Sequence, residues 1–139
     1  MYETHWGLRE SPFRGLADPR FFYCSPTHEE ALARLRFLVE NRRQLGLLVG
    51  IAGSGKTLVL EVFARQLRAE GCQVASLNLQ SLDAREFLWE LATQLQRNPQ
   101  STDTVFQLWR TIADRLVENR YQQLPTIVLL DDADEVAPE

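Results

Sequence analysis

At 139 residues the chain is long enough for one domain with a real hydrophobic core and too short for two. Its 45% hydrophobic and 24% charged residues are those of an ordinary soluble globular protein, and a net charge of −4 argues against a general nucleic-acid-binding surface. Cys24 and Cys72 stand far apart and outside any metal-ligand spacing, which reads as two reduced thiols, and neither a signal peptide nor a membrane-length apolar run is present, so a cytoplasmic protein is expected. In chain order, residues 1–25 carry Gly7, Pro12, Gly15 and Pro19 among the aromatics Trp6, Phe13, Phe21, Phe22 and Tyr23, an irregular, aromatic-anchored lead-in to the domain that residues 26–139 form. A helix starts near Ser25-Pro26, a good cap followed by proline at the first helical position, with Thr27 and Glu30 as an alternative capping box. Ala31, Leu32, Leu35, Leu38 and Val39 give it one buried face, and it ends before Leu45. Arg34, Arg36, Arg42 and Arg43 leave a local basic face open along it.

Gln44 to Val49 reads as a short buried parallel strand, and Leu58 to Arg68 as a helix with Val59, Phe63, Ala64 and Leu67 inward, stopped at Gly71. Gln73 to Leu79 is a second strand. Asp83 with Glu86 forms a capping box that opens a helix with Phe87, Leu88, Leu91 and Leu95 inside, broken at Asn98-Pro99. A further amphipathic helix carries Val105, Leu108, Trp109, Ile112, Ala113 and Leu116, and Pro125 precedes an apolar strand ending in acids. Trp89 and Trp109 fall on inner faces and read as core. Strands alternating with helices predict a parallel sheet covered on both faces, a three-layer α/β fold.

Between the first strand and the second helix stands Gly50-Ile51-Ala52-Gly53-Ser54-Gly55-Lys56-Thr57, which matches G-x-x-x-x-G-K-[ST] in full. Glycines let the backbone curl around a phosphate, the curled loop aims successive N–H groups inward, and the following helix adds the positive end of its dipole. Lys56 supplies a point charge to the β- and γ-phosphates, Leu58 continues the binding segment into the helix, and the Thr57 hydroxyl suits Mg²⁺, a cation of oxygen ligands. The four fixed positions should match by chance in roughly half a percent of chains this long, so the motif carries weight by itself. Downstream, Ile127-Val128-Leu129-Leu130-Asp131-Asp132 is an apolar strand ending in an acid, the Walker B form, in which Asp131 holds Mg²⁺ through its waters. Asp132 occupies the place of the acid that polarises the attacking water, with a solvent-exposed turn acid as the other reading; Asp134 and Glu135 read as a solvated turn. His28 reads as a surface or capping histidine, with contact to the nucleotide base as the alternative. Phe21, Phe22 and Tyr23 are candidates for an adenine pocket, with core packing expected for at least two of them, and Asn78 and Gln80 sit at a strand's carboxyl end, where ligands meet parallel sheets.

A small GTPase would carry D-x-x-G at the Mg²⁺ strand and a later N-K-x-D; the strand here ends D-D-A-D, and no N-K-x-D exists. The segments "HWGLRESPF" and "DPRFFYCSPTHEEALARLRFLVENRRQLGLLVGIAGSGKT", with "IVLLDDADE" later, resemble the start of the ExeA/GspA family of AAA+ ATPases (general secretion pathway protein A). That resemblance implies an AAA+/ASCE-like P-loop NTPase fold, here truncated after the Walker B strand. It also implies ATP and Mg²⁺ as ligands and hydrolysis coupled to assembling a secretion or pilus apparatus. By position Gly50 to Thr57 take the Walker A role, Asp131 the Mg²⁺ role and Asp132 the catalytic-acid role, where glutamate is usual. The family continues through a sensor strand, an arginine finger and a helical lid, so homo-oligomers or partner ATPase subunits and an envelope-complex partner are implied, and a 139-residue fragment is expected to turn ATP over slowly. Two other readings stay open: a DNA-associated regulator of transposition (TniB- or MuB-like), disfavoured by the acidic charge, and a nucleotide-responsive interaction module without hydrolysis.

Overall fold

The structure is a computed structural model that describes residues 2–8 and 18–135. The chain groups into two compact units, Met1–Val62 and Phe63–Glu139. In the first unit a single helical turn, α1 (Tyr2–His5), is followed after residue 17 by a 3₁₀ turn at Pro19–Phe21, capped by the Asp18 carboxylate on the Arg20 N–H at 2.9 Å. Helix α2 (Pro26–Glu40) starts at the expected cap: the Ser25 hydroxyl accepts the His28 N–H, and proline occupies the first position. Its apolar face is only half-buried, and Ser25 rather than Thr27 closes the terminus. Helix α3 (Lys56–Ala69) begins in this unit and runs into the second.

The expected strand Gln44 to Val49 does not form. An extended segment becomes a strand only when a neighbour takes its N–H and C=O groups. This one forms no ladder with any described residue, and Leu45, Leu47 and Val49 stand about four-fifths exposed. Locally it runs close to α2 at Gly46, where a Cβ would crowd the Leu38 Cδ1 methyl.

The second unit holds the sheet and the core. Strands β1 (Gln73–Asn78) and β2 (Thr126–Asp131) pair in parallel, Gln73 opposite Thr126 through Asn78 opposite Asp131. Helices α4 (Ala84–Gln94) and α5 (Val105–Tyr121) connect them, each opened by a capping box, Asp83 with Glu86 and Thr104 with Gln107. Ala75 and Leu77 of β1 are buried in one cluster with Leu88, Leu91, Ala92 and Leu95 of the α4 segment and Leu108 and Ile112 of α5. Val74, which points to the opposite face of β1, is buried as well, as a parallel strand covered on both sides requires. The α/β class with a parallel sheet flanked by helices is therefore observed, with two strands among the described residues rather than three.

Two expectations about the core fail. Trp89 is 39% and Trp109 58% exposed, and Val105, Ala113 and Leu116 also face outward. The buried line of α5 runs Leu108, Ile112, half-buried Arg115 and then Asn119, which is 1% exposed. Asn119 donates through Nδ2 to Gln73 Oε1 and to Thr126 Oγ1, tying the helix to the first residues of both strands. A polar residue doing the work of an inner-face anchor rotates the helix so that Trp109 turns to solvent. Among the described residues no helix is long and apolar enough to cross a membrane.

Candidate functional site

The loop from Gly50 to Gly55 is exposed or half-exposed and feeds directly into α3, whose first residue is Lys56. Gly53 and Gly55 adopt φ of +78° and +84°, the left-handed region that residues with a Cβ avoid, and this lets the chain reverse twice within three residues. The loop closes on itself through Ser54 N–H to Ile51 O at 3.2 Å, and the Val59 N–H reaches back to Gly55 O at 2.9 Å. Between them the N–H groups of Gly55, Lys56, Thr57 and Leu58 make no hydrogen bond to a described backbone carbonyl. Free donors at a helix start, beside the positive end of the dipole, are an anion cradle. Lys56, the only lysine in the sequence, donates to Gly50 O at 2.9 Å and Ile51 O at 3.2 Å, leaving one of three ammonium protons for a ligand. Gly50, Ile51, Ala52, Gly53 and Ser54 form the exposed arm, Thr57 is exposed on the first turn of α3, and Leu58 is half-buried.

The cradle fits a polyphosphate by the chemistry of its donors. For Mg²⁺ the loop offers the Thr57 hydroxyl, a ligand of the right kind for a hard cation that keeps most of its waters. No group of three or more His, Cys, Asp or Glu among the described residues is arranged to hold a metal by itself.

In the second unit the acids at the end of β2 are held as a cluster. Asp131 closes the strand, its main-chain carbonyl accepting the Leu79 N–H at 3.0 Å and its Oδ1 accepting the Asp132 N–H at 3.1 Å. Asp132 sits at φ +52°, a left-handed conformation that costs a non-glycine residue about 1–2 kcal/mol. Asn78 Nδ2 donates to Asp132 Oδ2 at 2.7 Å, while its Oδ1 accepts the Gln80 N–H at 2.8 Å; that second bond fixes which end of the amide faces the acid. The carboxyl-end rule thus located Asn78, whereas Gln80 enters only through its main chain. Asp134 is exposed, as a turn acid would be.

Of the lead-in aromatics, Phe21 and Tyr23 are 50% and 79% exposed, and Trp6 72%. Only Phe22 is half-buried, its ring 5.4 Å from that of His28, so core packing of two of the three from Phe21 to Tyr23 does not occur. Pro12, Phe13 and Gly15 lie outside the described residues. His28 does something the sequence did not suggest. Its Nε2 lies 3.2 Å from Ser54 O and its Nδ1 3.1 Å from Tyr23 O, so it reaches into the phosphate loop from α2.

A helix-initiating phosphate loop, an acid-terminated parallel strand and an α/β fold define a P-loop nucleotide-binding domain, and residues 39–139 match the AAA domain family model. The chain belongs to that family. It is 31% identical over 138 residues to General secretion pathway protein A from Aeromonas hydrophila, covering 99% of the chain but 25% of that relative, in line with the ExeA/GspA resemblance of its N-terminal block. The chain thus spans about a quarter of the length of the curated relative it matches. No solved structure matches it.

Proposed function

We propose that the chain is the nucleotide-binding part of an ATPase that takes Mg-ATP on Gly50 to Leu58 and hydrolyses it. The observation that carries this reading is the set of N–H groups from Gly55 to Leu58 without a backbone partner, together with the Lys56 ammonium bonded to the loop carbonyls of Gly50 and Ile51. These donors hold the phosphates and meet the charge that grows on the transferring group, where prealigned dipoles stabilise most. Thr57 and Asp131 are the oxygen ligands the two motifs offer Mg²⁺, which when bound neutralises charge on the phosphates.

Asp132 is the general base. Its carboxylate is aimed by Asn78, and its strained backbone is of the kind found where function overrides local preference. An arginine from a neighbouring subunit would raise the rate by roughly 10³–10⁵, so we take the working form to be an oligomer. By its likeness to General secretion pathway protein A, we assign the ATP cycle to a general secretion pathway. Phosphate release by the full-length protein tests this reading. Asp132→Asn is expected to lower turnover about a hundredfold or more with Mg-ATP affinity kept, and Asp132→Glu to retain turnover; undiminished turnover in Asp132→Asn contradicts the role.

A further inference from the structure

We propose that His28 is a positioning residue for phosphate binding, one that sets the Ser54–Gly55 peptide of the phosphate loop from outside it; the inference rests on the nucleotide-binding reading above. The histidine stands in the first turn of α2, its main-chain N–H capped by Ser25 Oγ at 3.3 Å, so the ring's base is fixed. Both ring nitrogens face carbonyl oxygens, Nδ1 that of Tyr23 at 3.1 Å and Nε2 that of Ser54 at 3.2 Å. A carbonyl only accepts, so each ring nitrogen that bonds must donate. The neutral ring donates to one carbonyl at a time and the imidazolium to both.

The consequence for the loop follows from peptide geometry. The Ser54 C=O and the Gly55 N–H belong to one planar trans unit and point in opposite directions. Holding the carbonyl toward His28 therefore holds the Gly55 N–H away from it, and that N–H is the first of the four free donors in the cradle. Gly55 also leaves the ring clearance, since a Cβ there would lie 3.1 Å from His28 Nε2, closer than an ordinary contact. The motif's second fixed glycine thus serves two surfaces, a left-handed turn inside the loop and contact with a histidine outside it. Apart from His28, the restraints on this loop are few: the turn bond from Ser54 to Ile51, Lys56 bonded to Gly50 and Ile51, and the Val59 N–H on Gly55 O. A loop held this lightly loses binding energy to ordering, and a brace that fixes one donor beforehand returns it as affinity.

Calorimetric titration of the full-length protein with Mg-ADP and Mg-ATP tests the brace. His28→Ala is expected to weaken both about five- to tenfold, the value of one hydrogen bond. His28→Gln, whose amide nitrogen reaches the Nε2 position, is expected to restore affinity to within about twofold, and His28→Asn, which reaches only the Nδ1 position, to behave like alanine. The Ser25 cap is untouched in both variants, so their difference in affinity should not track their nucleotide-free unfolding midpoints. Equal affinity in His28→Ala overturns the proposal, and so does rescue by asparagine instead of glutamine, or an affinity loss that follows the nucleotide-free unfolding midpoint. Failure of the wild type to bind either nucleotide removes the phosphate-loop reading itself, whereas binding unaffected by His28→Ala removes only the histidine's role.

Discussion

The two units of the chain solve different problems with similar material. From Phe63 onward, Phe63, Leu67, Leu95, Leu108 and Ile112 are at most 2% exposed and the strands pair along six residues. Before it, Val59 is the one fully buried apolar side chain among the described residues, and Leu45, Leu47, Val49 and Ile51 are nearly bare. The phosphate motif lies in the loosely packed unit and the acids at the end of a paired strand in the other. The difference is one of restraint: Asp131 and Asp132 are placed by a sheet, whereas the phosphate loop is placed by left-handed glycines, the lysine's bonds to its own carbonyls and a histidine.

If that contrast is right, core and loop substitutions should separate. The largest effect is expected at Phe63, where alanine should cost about 3–5 kcal/mol by denaturant unfolding; a loss below about 1 kcal/mol would show that α3 is not anchored in the core. A smaller, opposite effect is expected at the helix ends. Helices α2, α4 and α5 each close with a non-glycine residue in the left-handed region, Arg42, Gln96 and Gln123, where α3 uses Gly71. The end of α3 shows the full pattern, Cys72 N–H to Leu67 O and Gly71 N–H to Arg68 O. Gln123→Gly should stabilise by about 0.5–1 kcal/mol, relief of left-handed strain less the added freedom of the unfolded chain, read from the same unfolding curves.

The smallest effect concerns pH. The Arg97 guanidinium, 2.6 Å from Glu118, holds its carboxyl below the ordinary carboxylate range, with Arg115 adding to the pull. Because the folded state releases this proton more readily than the unfolded state, the pair's contribution is complete above the unfolded value, about 4.3, and fades as pH falls through the lower folded one. Glu118→Gln should therefore lose slightly more stability at neutral pH than in acid below the unfolded value, where the pair's contribution fades.

Much of this was legible in the sequence because it is local. Ser25-Pro26 and Asp83 with Glu86 announce helix starts through side chains that cap their own turns, and the phosphate motif is eight consecutive residues. The failures are non-local. Gln44 to Val49 has the composition of a buried strand, yet a strand is defined by a neighbour the composition does not name. Trp109 and Leu108 differ by one step on the helix, and which of them turns inward was decided by Asn119 binding Gln73 and Thr126. Asn78 could be suspected from its place at a strand end, but its bond to Asp132 spans 54 positions. The His28 contact with Ser54 joins two motifs through a main-chain oxygen, which leaves no mark on residue identity.

On the proposed reading, Gly50 to Leu58 bind nucleotide phosphate through Lys56. Titration of ATP into wild type and Lys56→Ala, each with and without Mg²⁺, tests it most directly. Saturable binding by the wild type, strengthened by Mg²⁺, is expected, with an affinity about ten- to hundredfold lower in Lys56→Ala, for a charge-assisted contact of about 1.5–3 kcal/mol. Equal affinity in the two proteins would contradict it.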